Sequence, residues 1–126
     1  MKKILGILSL VLLFSCSERA DGFQGNEYVY TAENGTEVTL RFAQDENRVN
    51  GRVVNGFFGS FELDGNNIKF SPMGATMMMG PMDKMEVERN FFNFIATVDK
   101  INTKGDKLIL SNSKSGQTME FVKKAE

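Results

Sequence analysis

Short runs of alternating apolar and polar residues, turn signals between most of them, and one switch to helical spacing predict an α+β fold. The expected architecture is a mostly antiparallel, strongly curved, barrel-like sheet of about eight strands with one main helix packed on it. Antiparallel pairing follows because most connections are too short for the crossovers that parallel strands require.

The N-terminus precedes this pattern. Lys2 and Lys3 form a short basic stretch, and Ile4 to Phe14 form an apolar run broken by Gly6 and Ser9. That run is shorter than the roughly 20 apolar residues of a membrane-spanning helix and fits the apolar part of an export signal. It ends in Leu13-Phe14-Ser15-Cys16, which resembles the lipobox of bacterial lipoproteins, where a small residue precedes an acylated cysteine and the chain is cut before it. Residues 1–15 are thus expected to be a cleaved signal peptide, Cys16 the lipidation site, and residues 16–25 the lipidated cysteine and its tether. Cys16 is the single cysteine of the chain and has no disulfide partner. Each buried acyl methylene contributes about 0.8 kcal/mol, so two or three chains would hold the protein firmly to a bilayer. Ser17 resembles the sorting pattern for outer-membrane delivery. The expected location is the cell envelope, lipid-anchored at the outer membrane.

Residues 16–126 leave 111 residues, enough for one hydrophobic core. Without Lys2 and Lys3, 13 basic side chains face 16 acidic ones. No basic cluster with interleaved aromatics points to nucleic acid. The chain has no histidine and no tryptophan, and its one cysteine is Cys16. Ser-His-Asp, Cys-His and histidine-metal chemistry are therefore excluded by composition.

The elements follow in order. Tyr28-Val29-Tyr30 is a first strand, and Asn34-Gly35 reads as a two-residue hairpin turn. Val38, Leu40 and Phe42 alternate with Thr39 and Arg41 in a half-buried strand. Beyond the polar stretch Gln44 to Asn47, Val49, Gly51 and Val53 share a face, as do Phe57, Gly59, Phe61 and Leu63. Asp64-Gly65-Asn66-Asn67 reverses the chain into Ile68 and Phe70. Then Met85, Glu88, Phe91, Phe92, Ile95 and Val98 recur at helical spacing, predicting a helix over 83–97 with Phe91, Phe92 and Ile95 against the sheet. Asp83 and Glu86 have the spacing of a capping box. Strand signals resume from Thr97 to Thr103, Lys104-Gly105-Asp106 turns into Leu108-Ile109-Leu110, and Ser115-Gly116 turns into Met119 and Phe121.

Several stretches resemble the META domain, the family of HslJ-like lipoproteins. They are Gly51 to Gly59 (GRVVNGFFG), Thr76-Met77-Met78-Met79-Gly80 after Met73-Gly74-Ala75, Glu88-Arg89-Asn90-Phe91, and Gly105 to Leu110 (GDKLIL). The resemblance runs over residues 26–123 and implies that residues 26–126 form a META/HslJ-like domain. It places the family's paired cysteines at Val54 and Gly80, so both are missing here together. The family's N-terminal tryptophan is also missing, with Tyr28 or Tyr30 available to fill its space. Because no catalytic residues are established for the family, the resemblance implies a non-enzymatic envelope protein serving stress protection or protein interaction. Its expected partners are an unknown envelope protein or small ligand. A monomer without cofactor is expected.

Candidate chemistry is sparse. Met73, Met77, Met78, Met79, Met82 and Met85 crowd into 13 residues. The spacing of Met79, Met82 and Met85 would suit Cu(I), a soft ion that thioethers bind. Pro81 interrupts that spacing, and methionine commonly fills irregular apolar gaps, so packing is the expectation and copper the alternative. The pairs Asp45–Glu46 and Glu86–Glu88 read as solvated. Ser111, Ser113 and Lys114 suggest a Ser-Lys dyad but lie at a turn, where hydroxyls favour local backbone bonds. Asp64 to Asn67 is too short for a twelve-residue calcium loop. Phe57 and Phe58 must point to opposite faces of their strand, leaving Phe58 either under the helix or on a contact patch.

Overall fold

The alternating runs become strands of one antiparallel sheet in the computed structural model, which describes residues 22–124. In chain order these are β1 (Glu27–Thr31), β2 (Glu37–Phe42), β3 (Arg48–Arg52), β4 (Gly56–Asp64), β5 (Asn67–Phe70) and β6 (Gly74–Ala75). Helix α1 (Met82–Ile95) follows, then β7 (Lys100–Lys104), β8 (Lys107–Ser111) and β9 (Thr118–Lys123). Residues 1–21, with the expected signal peptide and Cys16, lie outside the described residues. The strand order β3-β2-β1-β9-β8-β7-β5-β4-β6 includes a β3–β4 pairing, so the strongly twisted sheet runs round into a ring with β6 attached to β4. The seam between β5 and β7 is thin: one register pair, Asn67 with Lys100, flanked by Ile68 N–H to Asp99 O at 3.1 Å and Ile101 N–H to Asn66 O at 2.9 Å.

Period-2 patterning puts one face of each strand into the core. Val38, Leu40 and Phe42 of β2, Leu108 and Leu110 of β8 and Phe121 of β9 are all buried. Phe23, Phe42, Phe61 and Phe70 form one aromatic cluster. Phe57 joins Phe91 and Phe92 of the helix in a second, with ring centroids 5.4 Å from each. Burying a phenylalanine contributes roughly 1.5–3 kcal/mol, so the second cluster holds the helix to the sheet. Tyr28 and Tyr30 both pack inward, against Phe42 and Phe121.

Four local expectations are corrected. Phe23 is buried against Phe42 and Phe61, so part of the stretch 16–25 read as tether belongs to the core. Asn34-Gly35 is not a two-residue turn: β1 and β2 are joined by Ala32 to Thr36, and Asn34 uses its Oδ1 to accept from Thr36 N–H at 3.0 Å. The helix begins at Met82, with Pro81 at its N-cap and no side-chain cap. With the N-cap at Pro81, the third helical position is Lys84 and not Glu86, so the box does not form, and Pro81 O accepts from Lys84 and Met85 N–H. The helix ends at Ile95 rather than at 97, and it buries Phe94, which the apolar spacing had not marked.

Tight two-residue turns do occur at Gly65 and Gly105, where φ is +65° at both. A glycine at the first central position suits the twist of paired strands. Gly51 is required for a different reason. A Cβ there would lie 1.9 Å from Thr39 O and 2.6 Å from Phe57 Cζ. Gly51→Ala should therefore cost about 3 kcal/mol or more through overpacking against backbone. Urea denaturation of the folded domain measures this, and a loss below about 1 kcal/mol would mean the strands separate more easily than this packing allows.

Candidate functional site

The β3–β4 turn, the loop after β6 and helix α1 meet around two buried polar side chains, Asn55 and Glu88. Glu88 lies on the buried face of α1, one turn before Phe91 and Phe92. Its Oε1 accepts from Val54 N–H at 3.0 Å and Asn55 N–H at 2.7 Å, and its Oε2 accepts from Asn55 Nδ2 at 2.9 Å. Asn55 Nδ2 also donates to Met78 O at 3.1 Å. Asn55 Oδ1 accepts from Thr76 Oγ1 at 2.9 Å and from Met78 N–H at 2.6 Å. All four positions of the Asn55 amide are thereby used. The bonds to the Glu88 carboxylate hold Asn55 in place, and Asn55 in turn fixes the main chain at Met78.

Beside this clamp lies a groove of about 460 Å³, within the size range of small-ligand sites. Met73, Ala75, Met77 and Met79 form one wall, and Phe92, Ile95 and Ala96 the other, with Asn55 and Glu88 between them. No charged residue occurs from Phe70 to Met82. Met77, Met79 and Met82 are 92%, 89% and 88% exposed. The expectation that this methionine segment serves as core packing fails for these three and for Met78, which is also exposed. Pinning the main chain at Met78 leaves the neighbouring side chains no core to fill. Met73 does pack: a Cβ on Gly59 would come within 2.5 Å of its Sδ.

Met79, Met82 and Met85 do not share one helical face. Met79 precedes Pro81, Met82 is the first helical residue and Met85, one turn later, is half-buried. Phe58 stays on the outer face, 59% exposed, its ring lying over Gly74 of β6. Glu86 is exposed as expected, whereas Glu88 is buried, which corrects its reading as a solvated partner of Glu86. Asp45 and Glu46 are exposed. Ser113 donates its hydroxyl to Asp99 Oδ2 at 2.6 Å and its N–H to Oδ1 at 2.9 Å. These bonds, the hydroxyl's first, hold the Asp99 carboxyl below its ordinary range. The Ser113 hydroxyl thus engages a carboxylate from across the turn and not the local backbone. Among the described residues, no group of three or more Asp, Glu, Cys or His side chains is arranged to hold a metal ion.

Asn55 and Thr76 were missed as a pair because nothing in local spacing links them. Glu88 carried a signal: it is a charged residue within the apolar stripe Met85, Phe91, Phe92, Ile95.

One helix packed on a ring-shaped antiparallel sheet, with a polar clamp and an apolar groove between helix and loop, defines a small single-domain α+β protein. The chain belongs to the META domain family, whose model matches residues 19–126. Its fold is similar to that of a protein from Burkholderia xenovorans solved by NMR, with TM-score 0.65, 16% identity, and coverage of 82% of this chain and 85% of that one. A second protein solved by NMR gives a TM-score of 0.62 at 17% identity, covering 79% and 90% of the two chains. No curated protein matches the chain. The two positions where the family resemblance implies paired cysteines do meet: a Cβ on Gly80 would stand 2.9 Å from Val54 Cγ1.

Replacing Glu88 by Gln turns one oxygen into a second amide donor. Either orientation of that amide opposes it to an N–H of Val54 or Asn55. Glu88→Gln should destabilise the domain by about 2 kcal/mol, the cost of a buried donor left without an acceptor. Urea unfolding checks the magnitude. Faster deuterium exchange at the Met78 amide should accompany it, since the Asn55 side chain loses its anchor.

Proposed function

We propose that this chain is a lipid-anchored module of the bacterial cell envelope, held at the outer membrane through Cys16, that acts by binding and not by catalysis. The observation that carries the reading is the mostly apolar, methionine-lined groove between α1 and the uncharged segment after β5. Methionine is flexible and polarisable, and surfaces rich in it accept varied apolar shapes. The polar groups of the groove, Asn55 and Glu88, are already engaged with each other and with backbone, which suits a structural role for both. The partner of this reading is an extended, apolar polypeptide segment. Strand β6 supplies extended backbone at the groove wall, so main-chain bonds can add to apolar contact.

The anchor reading rests on the basic start, the apolar run and Leu13 to Cys16. With Phe23 in the core, the seven residues from Cys16 to Gly22 could span about 25 Å at most, which would hold the groove close to the bilayer. In cells, wild type should take up labelled palmitate and Cys16→Ser should not. With purified protein, a fluorescein-labelled peptide of about ten residues, rich in leucine and phenylalanine, should bind with an anisotropy change. Ala75→Arg, which puts a charge on the groove wall, should weaken that binding at least tenfold, or about 1.4 kcal/mol. An unlabelled wild type defeats the anchor, and equal binding by the Arg variant defeats the groove.

A second reading, a stress-protective Cu(I) site, gains one observation: the thioethers of Met79 and Met82 are open to solvent. Cu(I) titration under reducing conditions should then give submicromolar affinity that falls in Met79→Leu/Met82→Leu. Micromolar or weaker affinity would end this reading.

A further inference from the structure

Few groups in this chain react with two-electron oxidants. There is no tryptophan, the one cysteine is Cys16, and eight methionines provide the remaining sulfur. Across residues 22–124 the seven thioethers are the oxidisable sulfurs. The fold divides them. Met77, Met78, Met79 and Met82 stand in solvent, Met78 the least of them at 53%. Met73 and Met119 pack against the core, and Met85 lies with its Sδ 3.8 Å from where a Cβ on Gly80 would be. The division has a structural cause. Asn55 grips Met78 by its backbone N–H and C=O, and Thr76 by its hydroxyl. None of these bonds involves sulfur.

We propose that Met77, Met78, Met79 and Met82 form an oxidation site for hydrogen peroxide, and that sulfoxidation of Met77, Met78 and Met79 switches the groove from apolar to polar and releases its occupant. The switch rests on the binding reading given above; the site itself rests on exposure alone. In the step, a lone pair of the thioether sulfur attacks the peroxide oxygen. An S–O bond forms, the O–O bond breaks, and the departing oxygen leaves as water. Sulfur is oxidised by two electrons and the peroxide reduced by two. A dithiol reductase of the methionine sulfoxide class reverses it: the oxygen leaves as water and the dithiol becomes a disulfide. Sulfoxide is polar and accepts hydrogen bonds, so each conversion at Met77, Met78 or Met79 replaces an apolar group at the groove wall by a hydrated one. The core does not lose a contact, because Met73, Met85 and Met119 are partly buried and the exposed loop is fixed through backbone.

The test treats the purified full-length protein with hydrogen peroxide and follows each methionine by peptide mass mapping. Met77, Met79 and Met82 should convert at least tenfold faster than Met73, Met85 and Met119, with the melting temperature within about 2 °C of the untreated protein. Equal rates across both sets, or unfolding in step with oxidation, would overturn the site. Affinity for the leucine- and phenylalanine-rich peptide should fall at least tenfold after oxidation and recover after treatment with a methionine sulfoxide reductase and dithiothreitol. In Met77→Leu/Met78→Leu/Met79→Leu/Met82→Leu, the same oxidant should change that variant's own affinity less than twofold. If reduced wild type does not bind the peptide, the binding reading fails. If reduced and oxidised protein bind alike, the switch fails while that reading stands.

Discussion

A buried carboxylate is tolerable only when donors replace its lost water, and the geometry around Glu88 follows from that requirement. Three N–H groups converge on its two oxygens, two of them main-chain amides of the β3–β4 turn. Asn55 then passes the constraint on, because its remaining donor and both acceptor positions bind the loop at Thr76 and Met78. Helix, turn and loop are thus fixed relative to one another by a single pair of side chains. Apolar contact holds the helix to the sheet, but apolar contact is non-directional. Only the polar pair specifies where the loop backbone runs.

The groove is a consequence of the same arrangement combined with the incomplete closure of the sheet. Most neighbouring strands share four or five register pairs, whereas β5 and β7 share one, at Asn67 and Lys100. Past that pair, the chain after β5 turns to β4 for its hydrogen bonds, with Ser71 N–H donating to Ser60 O and Thr76 N–H to Gly56 O. Helix α1 supplies the facing wall through Phe92, Ile95 and Ala96. A segment committed to β4 on one side and clamped at Met78 cannot collapse onto the helix. A concave apolar surface remains.

The strand pattern was legible because burial on one face repeats every second residue, and the helix because its apolar residues repeat at three and four. Phe23 was missed since an isolated aromatic between glycines has no period to reveal it. Phe94 was missed because it widens the apolar stripe beyond the narrow seam that Phe91 and Ile95 define. The methionine segment was misjudged for a physical reason. Composition says that methionine can fill gaps, but whether a gap exists depends on where the loop backbone is held. That is decided by Asn55 and Glu88, separated by 33 residues. Side-chain to backbone bonds over such distances leave no local spacing to read. Glu88 was the exception, a charge standing where the stripe called for an apolar residue.

Val54 and Gly80 add the last step. These positions touch across the turn and the loop, so a disulfide between them would close the segment covalently, a constraint worth roughly 3–4 kcal/mol in the entropy model. In this chain the same closure depends on hydrogen bonds, which can open and re-form without a redox partner. A covalent bridge would hold the loop in place whatever its side chains became. With valine and glycine there, the position of the loop depends on the bonds from Asn55 to Thr76 and Met78, none of which involves sulfur. The chemistry of the exposed thioethers therefore bears on the polarity of the groove, while the clamp keeps its shape.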